Sequence, residues 1–458
     1  MINIKIKLPE NVKVIIEKLN NFGFEAYVVG GCVRDSLIGL IPHDWDICTN
    51  AKPQKIIECF KNYNYFDAGL KHGTVSVVIA KEVFEITTYR IDGQYSDNRH
   101  PKSVTFTDDI VQDLARRDFT VNAMAYNEKT GIVDPFGGQN DITSKTIRCV
   151  GNPTVRFNED ALRIMRAVRF ASVYDYSIEE LTSLAIKENV NLLKNIASER
   201  INTELTKLLC GVNAENILNS YRDVIAVFIP EIKPLFDFEQ KTPHHNRDIW
   251  RHTTCAVNSI EPTPLLRVTM LLHDIGKPDK CKIDENGRHH FKGHPHISAH
   301  KANVILRRLK YPSLFIDDCL MLIKYHDVRF TGSKRQLRHV MSAIGDVNVG
   351  LLLKVQRADI MAQSMYKQNE KLDTLELACN AYNEIIAENE CFTLKQLAVN
   401  GNDLMAIGIT KGIEIGQILK RLLSLVIDEK IQNSKSALIN KAIEIHEVNI
   451  KNDELNSK

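Results

Sequence analysis

The chain has 458 residues, which is too long for a single hydrophobic core and predicts two to four domains. Its 59 basic and 57 acidic residues leave a formal net charge of +2, which neither indicates nor excludes nucleic-acid binding. The ten cysteines are dispersed singly, which argues against a zinc ribbon or a disulfide framework. Neither a signal peptide nor an apolar run of membrane length is apparent. We therefore expect a cytoplasmic protein without a membrane partner.

The first 150 residues predict a small mixed β-sheet with helices packed against it. A helical pattern over residues 9–22 is followed by four strand-like runs, EAYVVG, DWDICT, GTVSVVIA and VFEITTYR. Residues 91–109 are polar and are predicted to form a long loop. The run GIVDPFGGQNDI closes this unit near residue 150.

From residue 151 onward the pattern is largely helical, so the predicted fold class is α+β, with a sheet-containing head followed by an all-α remainder. Helices are expected near 157–173, 178–187, 198–210 and 213–221, then in a block over about 247–390, and again after residue 400. The predicted domains are a head at 1–150, a neck at 151–225, a body at 226–390 and a tail at 391–458.

A Gly-Gly turn in the head leads into a short helix start. Gly30 and Gly31 would suit any tight turn, but backbone N–H groups at the start of a helix can also meet a phosphate. Arg34 lies one helical turn further on and can add charge-assisted hydrogen bonds to the same group.

Two carboxylates of the second strand-like run are two residues apart. Asp44 and Asp46 would project from one face of a strand, because alternate side chains share a face. They belong either to a solvated loop or to a site for a divalent metal that carries a triphosphate, and two Mg²⁺ ions would suit nucleotidyl transfer. Glu85 either completes a carboxylate cluster or orients Arg34 or Arg90.

An Arg-Arg-Asp cluster follows the predicted loop. Arg116, Arg117 and Asp118 form either a surface salt bridge or a clamp for phosphate and ribose, with Asn122 as a further polar candidate. The next segment is predicted to be a helix with an apolar face formed by Val121, Met124 and Ala125.

One continuous helix is predicted over residues 157–172. Its apolar face would be formed by Ala161, Ile164, Met165, Val168 and Ala171. Asp160, Arg163, Arg166 and Arg169 lie off that face, either as a solvated face with salt bridges to Glu159 or as a reader of bases. In the second case Asp160 accepts from the amino group of cytosine or adenine, and Arg163, 60° round the helix, donates to the ring nitrogen.

Five motifs in order, GGCVRD, HDWDICT, RRDFTVNAMAYN, EDALRIMRAVRFA and SERINTEL, resemble the class II tRNA nucleotidyltransferase and bacterial poly(A) polymerase superfamily. The resemblance covers residues 23–210 and implies Mg²⁺-dependent addition of CCA to the 3′ end of tRNA, from CTP and ATP and without a nucleic-acid template. The loop at 91–109 resembles the family's flexible loop, which is needed to switch from C to A addition. Its presence favours complete CCA addition.

The resemblance also implies roles for individual residues. Asp44 and Asp46 would be the catalytic metal ligands. The full set of expected nucleotide-binding residues is Gly30, Gly31, Arg34, Arg116, Arg117, Asp118, Asn122, Asp160, Arg163, Arg166 and Arg169.

The body carries a second group of candidate metal ligands at about 247–360. Four of these residues resemble the ligand set of the HD phosphohydrolase superfamily, and two match extra positions of its catalytically competent members: His252, His273, Asp274 and Asp359, then His294 and His326. The resemblance implies a divalent transition metal or Mg²⁺ that activates water. Lys277 would bind a phosphate oxygen. Related bodies also keep such helices without a metal, so a structural role is the alternative.

Three functions are therefore compatible with the sequence. The first is CCA addition with an HD body, and the second is poly(A) synthesis or the addition of only CC or only A. The third is an HD phosphohydrolase with an inactive head, against which the intact Asp44 and Asp46 count. The glycine-rich tail either contacts tRNA or is a helical packing module, and no particular oligomeric state is predicted.

Overall fold

The computed structural model describes residues 5–93, 103–410 and 412–456. The chain divides into two compact units, Met1–Lys233 with Arg308–Tyr311, and Pro234–Arg307 with Pro312–Lys458.

The first unit combines a sheet with helices. Its helices are α1 (Glu10–Asn21), α2 (Gly31–Leu37), α3 (Pro53–Cys59), α4 (Ile110–Ala115), α5 (Gly138–Thr143), α6 (Pro153–Glu159), α7 (Leu162–Tyr174), α8 (Glu180–Asn189), α9 (Ser198–Leu209), α10 (Ala214–Ser220) and α11 (Arg222–Phe228). Its strands are β1 (Ala26–Val29), β2 (Ile47–Thr49), β3 (Asn64–Phe66), β4 (Thr74–Ile79), β5 (Glu82–Thr88), β6 (Arg90–Asp92), β7 (Val104–Phe106), β8 (Ala125–Asn127), β9 (Gly131–Val133), β10 (Thr146–Ile147) and β11 (Ser177–Ile178).

Seven strands form the main sheet in the order β3-β4-β5-β2-β1-β8-β9. The β2–β5 pair is parallel, with Ile47 opposite Ile86, and the other neighbours in this sheet are antiparallel. Alternate residues of β4 are buried, as expected for a strand with one face on the core. The small mixed sheet and the four predicted strand runs are thus confirmed.

Residues 119–127 do not form the predicted helix. A short 3₁₀ turn, Thr120–Asn122, is followed by β8, which pairs with β1 on one side and β9 on the other. Val121, Met124 and Ala125 are fully buried there. Their apolar spacing was compatible with a helix, but cross-strand pairing decided the conformation.

The predicted helix over 157–172 is also wrong as one element. α6 ends at Glu159, Asp160 adopts an extended conformation, and α7 begins at Leu162. The Asp160 carboxylate accepts a hydrogen bond from the Leu162 backbone N–H at 3.1 Å, an interaction that favours a helix boundary over a helix interior. The predicted apolar face is buried as expected: Ala161, Ile164, Met165, Val168 and Ala171 are fully inaccessible.

Part of the predicted loop at 91–109 is not a loop but two paired strands. β6 and β7 pair in antiparallel register, with Arg90 opposite Phe106 and Asp92 opposite Val104. The middle of the predicted loop, residues 94–102, lies outside the described residues.

In its described residues, the second unit is built of helices, their connecting segments and one short hairpin. Its helices are α12 (Ile249–Asn258), α13 (Pro264–Leu272), α14 (Lys277–Lys280), α15 (His294–Arg308), α16 (Ser313–Tyr325), α17 (Lys334–Ile344), α18 (Asp346–Ala362), α19 (Gln368–Ala387), α20 (Gly401–Ala406), α21 (Gly412–Ile427) and α22 (Lys435–Asn456). The hairpin strands are β12 (Lys282–Ile283) and β13 (His289–His290). The α+β class with a helical remainder is confirmed, with this hairpin as a small departure.

Residues from 397 onward form a hydrophobic cluster of their own, centred on Leu404, Ile418, Leu422 and Leu438. None of the helices in the described ranges is long and apolar enough to span a bilayer.

Candidate active sites in the two units

Asp44 and Asp46 lie immediately before β2, which begins at Ile47. The predicted strand therefore does not carry both carboxylates, although the Asp46 carbonyl accepts a hydrogen bond from the Val29 N–H at 3.0 Å and holds the segment beside β1. Both side chains are exposed. Their position at the start of a central strand leaves them accessible to a nucleotide.

A third carboxylate lies beside this pair. β2 and β5 run parallel with Ile47 opposite Ile86, so continuing the register back by one residue places Asp46 beside Glu85. Desolvation by the surrounding chain raises the pKa of Asp46, Arg117 opposes this, and the charges of Asp44 and Glu85 raise the pKa further. Carboxylates that repel one another are stabilised by a nearby divalent cation, so the chemistry of these side chains suits a metal.

The glycine turn is covered by an arginine. Gly30 has φ +82°, and a Cβ there would lie 2.7 Å from Nη1 of Arg117. A side chain at this position would therefore be strained and would displace the guanidinium. Gly31 opens α2 directly after the turn. The arrangement brings Arg117, the turn and Asp46 into one site.

Asp113 orients both arginines of the Arg-Arg-Asp cluster and was missed in the sequence. It is fully buried in α4, with Oδ1 2.9 Å from Nε of Arg116 and Oδ2 3.7 Å from Nη2 of Arg117. The missed signal is its spacing of three and four residues from the two arginines on a helix.

Arg34 is enclosed by the protein. It is 6% exposed, and its guanidinium donates to Asp35 at 2.9 and 2.7 Å and to the Asn122 side chain. It also lies over the rings of Phe170 and Tyr174, 5.0 and 4.7 Å from their centroids. These contacts hold Arg34 between α2 and α7.

Asp118 joins the Arg-Arg-Asp segment to α7. Its Oδ1 accepts from Asn122 Nδ2 at 3.0 Å, and its Oδ2 accepts from Arg166 Nε at 2.7 Å. Burial would raise the pKa of Asp118, but Arg166 and the hydrogen bond from Asn122 lower it to about 2. Asp118 is therefore an ionised, oriented acceptor.

Three guanidinium groups lie near the ring of Phe170. Arg169 lies 3.9 Å, Arg34 5.0 Å and Arg166 5.3 Å from its ring centroid. Arg169 also pairs with Glu204 at 2.7 Å. The sequence predicted the arginines but not the aromatic ring that holds them together.

Asp160 and Arg163 do not form a shared hydrogen-bonding edge in this conformation. The helix breaks between them, and Asp160 Oδ2 accepts from Arg200 Nη2 at 3.2 Å. Arg163 donates to Glu159 at 2.6 Å and to the Arg116 carbonyl at 2.9 Å. The predicted 60° separation on one helix is therefore wrong, because Asp160 is extended and lies between α6 and α7, whereas Arg163 lies within α7.

In the second unit the six candidate metal ligands come together. They come from three helices, α12, α15 and α18, and from the residues that follow two others, α13 and α16: His252, His273, Asp274, His294, His326 and Asp359. Their ligand atoms form two groups, each spanning at most 4.8 Å, and Asp274 belongs to both. Its Oδ2 lies 3.2 Å from Nε2 of His273, and its Oδ1 lies 3.1 Å from Nε2 of His294.

The ring nitrogens show why a cation fits. The Nδ1 atom of every histidine in the set faces a backbone carbonyl, at 3.3, 2.7, 2.9 and 2.6 Å for His252, His273, His294 and His326. A carbonyl only accepts, so each Nδ1 carries the proton and each neutral ring presents an Nε2 lone pair. Nε2 of His294 lies 3.1 Å from Nε2 of His326. Two lone pairs this close repel unless a proton or a metal neutralises them.

The charges around Asp274 also favour a bound cation. Asp274 is 1% exposed and pairs with Lys277 at 2.6 Å. Burial would lower the pKa of His273, but Asp274 and Asp359 raise it to about 10. Without a metal, histidines beside these carboxylates must be protonated to balance the negative charge.

Family models match three stretches of the chain. A Poly A polymerase head domain covers residues 26–148, an RNA and SrmB-binding site of polymerase A covers 175–235, and a tRNA nucleotidyltransferase domain 2 covers 294–442. With the carboxylates and the glycine turn of the head, these matches define a nucleotidyltransferase.

Relatives identify the family. The CCA-adding enzyme of Enterococcus faecalis is 32% identical over 93% of each chain, and that of Geobacillus thermodenitrificans is 49% identical over 60% of this chain and 67% of the other. A structure of the Bacillus stearothermophilus CCA-adding enzyme with CTP has a TM-score of 0.69 and 27% identity over 97% of this chain and 100% of that one. The chain belongs to the CCA-adding enzyme family. Membership implies dependence on a divalent metal.

Proposed function

We propose that this protein adds CCA to the 3′ end of tRNA, with CTP and ATP as substrates and no nucleic-acid template. The observation that carries the proposal is the position of Asp44 and Asp46 directly before β2, with Glu85 next to Asp46 in the strand register and Arg117 against the glycine turn. The matching tRNA nucleotidyltransferase domain 2 model supports tRNA as the acceptor, and the B. stearothermophilus structure has CTP as a ligand of that enzyme.

In the reaction, the 3′-hydroxyl oxygen of tRNA forms a bond to the α-phosphorus of the nucleotide. The bond from that phosphorus to the pyrophosphate oxygen breaks, and the hydroxyl proton is released. We propose that Asp44 and Asp46 hold Mg²⁺, with Glu85 as a third carboxylate. Bound Mg²⁺ would lower the pKa of the attacking hydroxyl and stabilise the charge of pyrophosphate.

The remaining predicted residues position the nucleotide. We propose that Gly30, Gly31 and Arg34 contact the triphosphate. Asp118, held ionised by Arg166, accepts from a ribose hydroxyl. We propose that Arg116 and Arg117 contact phosphate. Asn122, Arg166 and Arg169 would hold these nucleotide-binding side chains in position.

Base selection is proposed for Asp160 and Arg163. Each has polar partners that a base would replace, Arg200 for Asp160 and Glu159 for Arg163. The proposal predicts that reading a base requires a rearrangement at the α6–α7 junction.

Incubation with tRNA that ends at the discriminator base, labelled CTP and ATP, and Mg²⁺ tests the main activity. The expected product gains C, C and A, and Asp44→Ala should lose at least ~10³-fold in rate, because one metal ligand is removed. Asp67→Ala, an exposed head aspartate, is the matched control. A long A tract would instead indicate a poly(A) polymerase, and unchanged incorporation by Asp44→Ala would refute the assignment.

A second candidate activity is favoured by the convergence of the histidine Nε2 atoms on Asp274. We propose that His252, His273, Asp274, His294, His326 and Asp359 bind a divalent transition metal or Mg²⁺ and that this centre hydrolyses phosphomonoesters. Such a metal activates water for attack on phosphorus. The backbone carbonyls fix the tautomer of each histidine, and Asp274 contributes one oxygen to each ligand group.

His273→Ala should abolish metal-dependent hydrolysis of p-nitrophenyl phosphate and leave nucleotide addition within about twofold of wild type. His300→Ala, exposed on the same helix as His294, is the control. Loss of both activities in His273→Ala would assign the cluster a structural role, as would wild-type protein that hydrolyses nothing.

We further propose the head, neck, body and tail division at residues 150, 225 and 390. The separate hydrophobic cluster beyond residue 397 supports an independent tail. A cytoplasmic location is proposed from the dispersed cysteines, which suit a reducing compartment.

A further inference from the structure

The metal-ligand cluster of the second unit opens into a cavity of about 540 Å³. Apart from histidines, the cationic side chains on its wall are Lys277, Lys292, Arg329, Lys367 and Lys371. Besides the metal ligands Asp274 and Asp359, the wall has two carboxylates, Asp327 and Glu370. The excess of positive charge favours an anionic ligand.

Most of these cations have a carboxylate nearby. Lys277 pairs with Asp274 at 2.6 Å. Arg329 lies 3.6 Å from Asp327, and Lys367 lies 3.6 Å from Glu370. The last two pairs are exposed and loose, so they contribute little and can open to a ligand.

Lys371 is different because its hydrogen-bond partners are uncharged. Its ammonium donates to Gln363 Oε1 and lies 3.1 Å from Nδ1 of His244. Burial lowers the pKa of Lys371, and the neighbouring Arg329 lowers it further. An ammonium group in this position would gain from an anion in the cavity.

One side chain, that of Gln363, links Lys371 to the metal ligands. Gln363 accepts from Lys371 through Oε1 and donates through Nε2 to Asp359 Oδ2 at 2.9 Å. The side-chain amide of Gln363 thus connects Lys371, through two hydrogen bonds, to Asp359 of the proposed metal centre. A ligand that reaches both places must carry two separated anionic groups.

We infer that the cavity takes a phosphomonoester whose leaving group bears a second phosphate, as in a nucleoside bisphosphate or the phosphorylated end of an oligonucleotide, and that Lys371 binds this second phosphate. The inference rests on the proposed phosphohydrolase activity. In the reaction, the oxygen of water forms a bond to the terminal phosphorus and the ester P–O bond breaks. The leaving oxygen receives a proton, inorganic phosphate departs, and the second phosphate stays attached to the product.

Competition with p-nitrophenyl phosphate hydrolysis by the full-length, metal-loaded protein measures the affinities for adenosine 3′,5′-bisphosphate and AMP. We expect wild type to bind the bisphosphate about tenfold more tightly than AMP. Lys371→Ala should lose this preference and bind AMP as wild type does, and Lys371→Arg should retain it because the positive charge remains. Lys354→Ala, at an exposed ion pair with Glu261, is the control for general loss of positive charge.

With metal present, Lys371→Ala should raise KM for the bisphosphate about tenfold and leave kcat for p-nitrophenyl phosphate unchanged. If wild type hydrolyses AMP and p-nitrophenyl phosphate but shows no preference for the bisphosphate, the second-phosphate site is refuted and the phosphohydrolase stands. An equal loss for all substrates in Lys371→Ala refutes it too. If wild type binds no metal and hydrolyses nothing, both proposals fail together.

Discussion

At the scale of single residues, the head depends on carboxylates that orient arginines. Asp113 is fully buried beneath Arg116 and Arg117, and Asp118 holds Arg166. Such buried carboxylates are costly unless they are paired, so each arginine that they hold has a restricted orientation. Preorganised guanidinium groups lose less entropy when they meet a phosphate.

Asp118 should make the fold sensitive to acid. Its pKa is lowered to about 2 in the folded chain, compared with about 3.9 in an unfolded one, so its ionisation stabilises the fold above pH 4. This contribution, on the order of 2 kcal/mol, is lost progressively as the pH falls from about 4 through the folded-state pKa. Denaturant unfolding of Asp118→Asn between pH 4 and 2 should show a shallower loss of stability than wild type, whereas Asp67→Asn should follow wild type. Equal slopes for all three proteins would contradict the role of the Asp118–Arg166 pair.

At the scale of elements, the α6–α7 junction shows how far a pattern can predict a helix. The apolar spacing from Ala161 to Ala171 correctly identified the buried face. At the break Asp160 is extended, and its carboxylate accepts from the Leu162 N–H, a local hydrogen bond that competes with a continuous helix. Spacing reports which side of an element is buried, but not where a polar side chain competes for the backbone.

α7 also positions three arginines through Phe170, which is 4% exposed. Phe170→Leu keeps an apolar side chain but removes the ring face, which contributes about 0.5–2 kcal/mol per cation–π contact. We expect kcat/KM for CTP and ATP to fall about tenfold. Phe157→Leu, a fully buried position in α6, controls for loss of packing alone. If both variants lose activity equally at matched stability, the aromatic ring has no special role.

At the scale of the whole molecule, the chain keeps two proposed chemistries in two compact units. One proposed site has exposed carboxylates directly before the first residue of a central strand. The other has mostly buried histidines and carboxylates from several helices. A metal that binds the buried cluster only in the folded state should stabilise the second unit.

Calorimetric melting with and without a chelator measures this linkage. At a metal concentration of about 100 times Kd, the second unit should gain about 2.7 kcal/mol. For a unit of this size that gain should raise the melting temperature by roughly 5–11 °C. His273→Ala should lose this shift, and Asp44→Ala should keep it because its metal site is in the head. A shift that survives in His273→Ala would place the stabilising metal elsewhere.

The sequence by itself determined the mixed-sheet head, the helical remainder and most of the residues proposed for the two sites. It did so because glycine turns, paired carboxylates and His-Asp pairs carry chemistry that depends on residue type and short spacing. The tertiary structure alone decided the partners: Asp113 under two arginines, Phe170 beneath three, and Lys371 linked through Gln363 to Asp359. The contact of Arg34 with Phe170 joins residues distant in the chain and depends on packing. The other contacts are local, but each of these side chains has several neighbours at short spacing, and only the folded structure selects which of them pair.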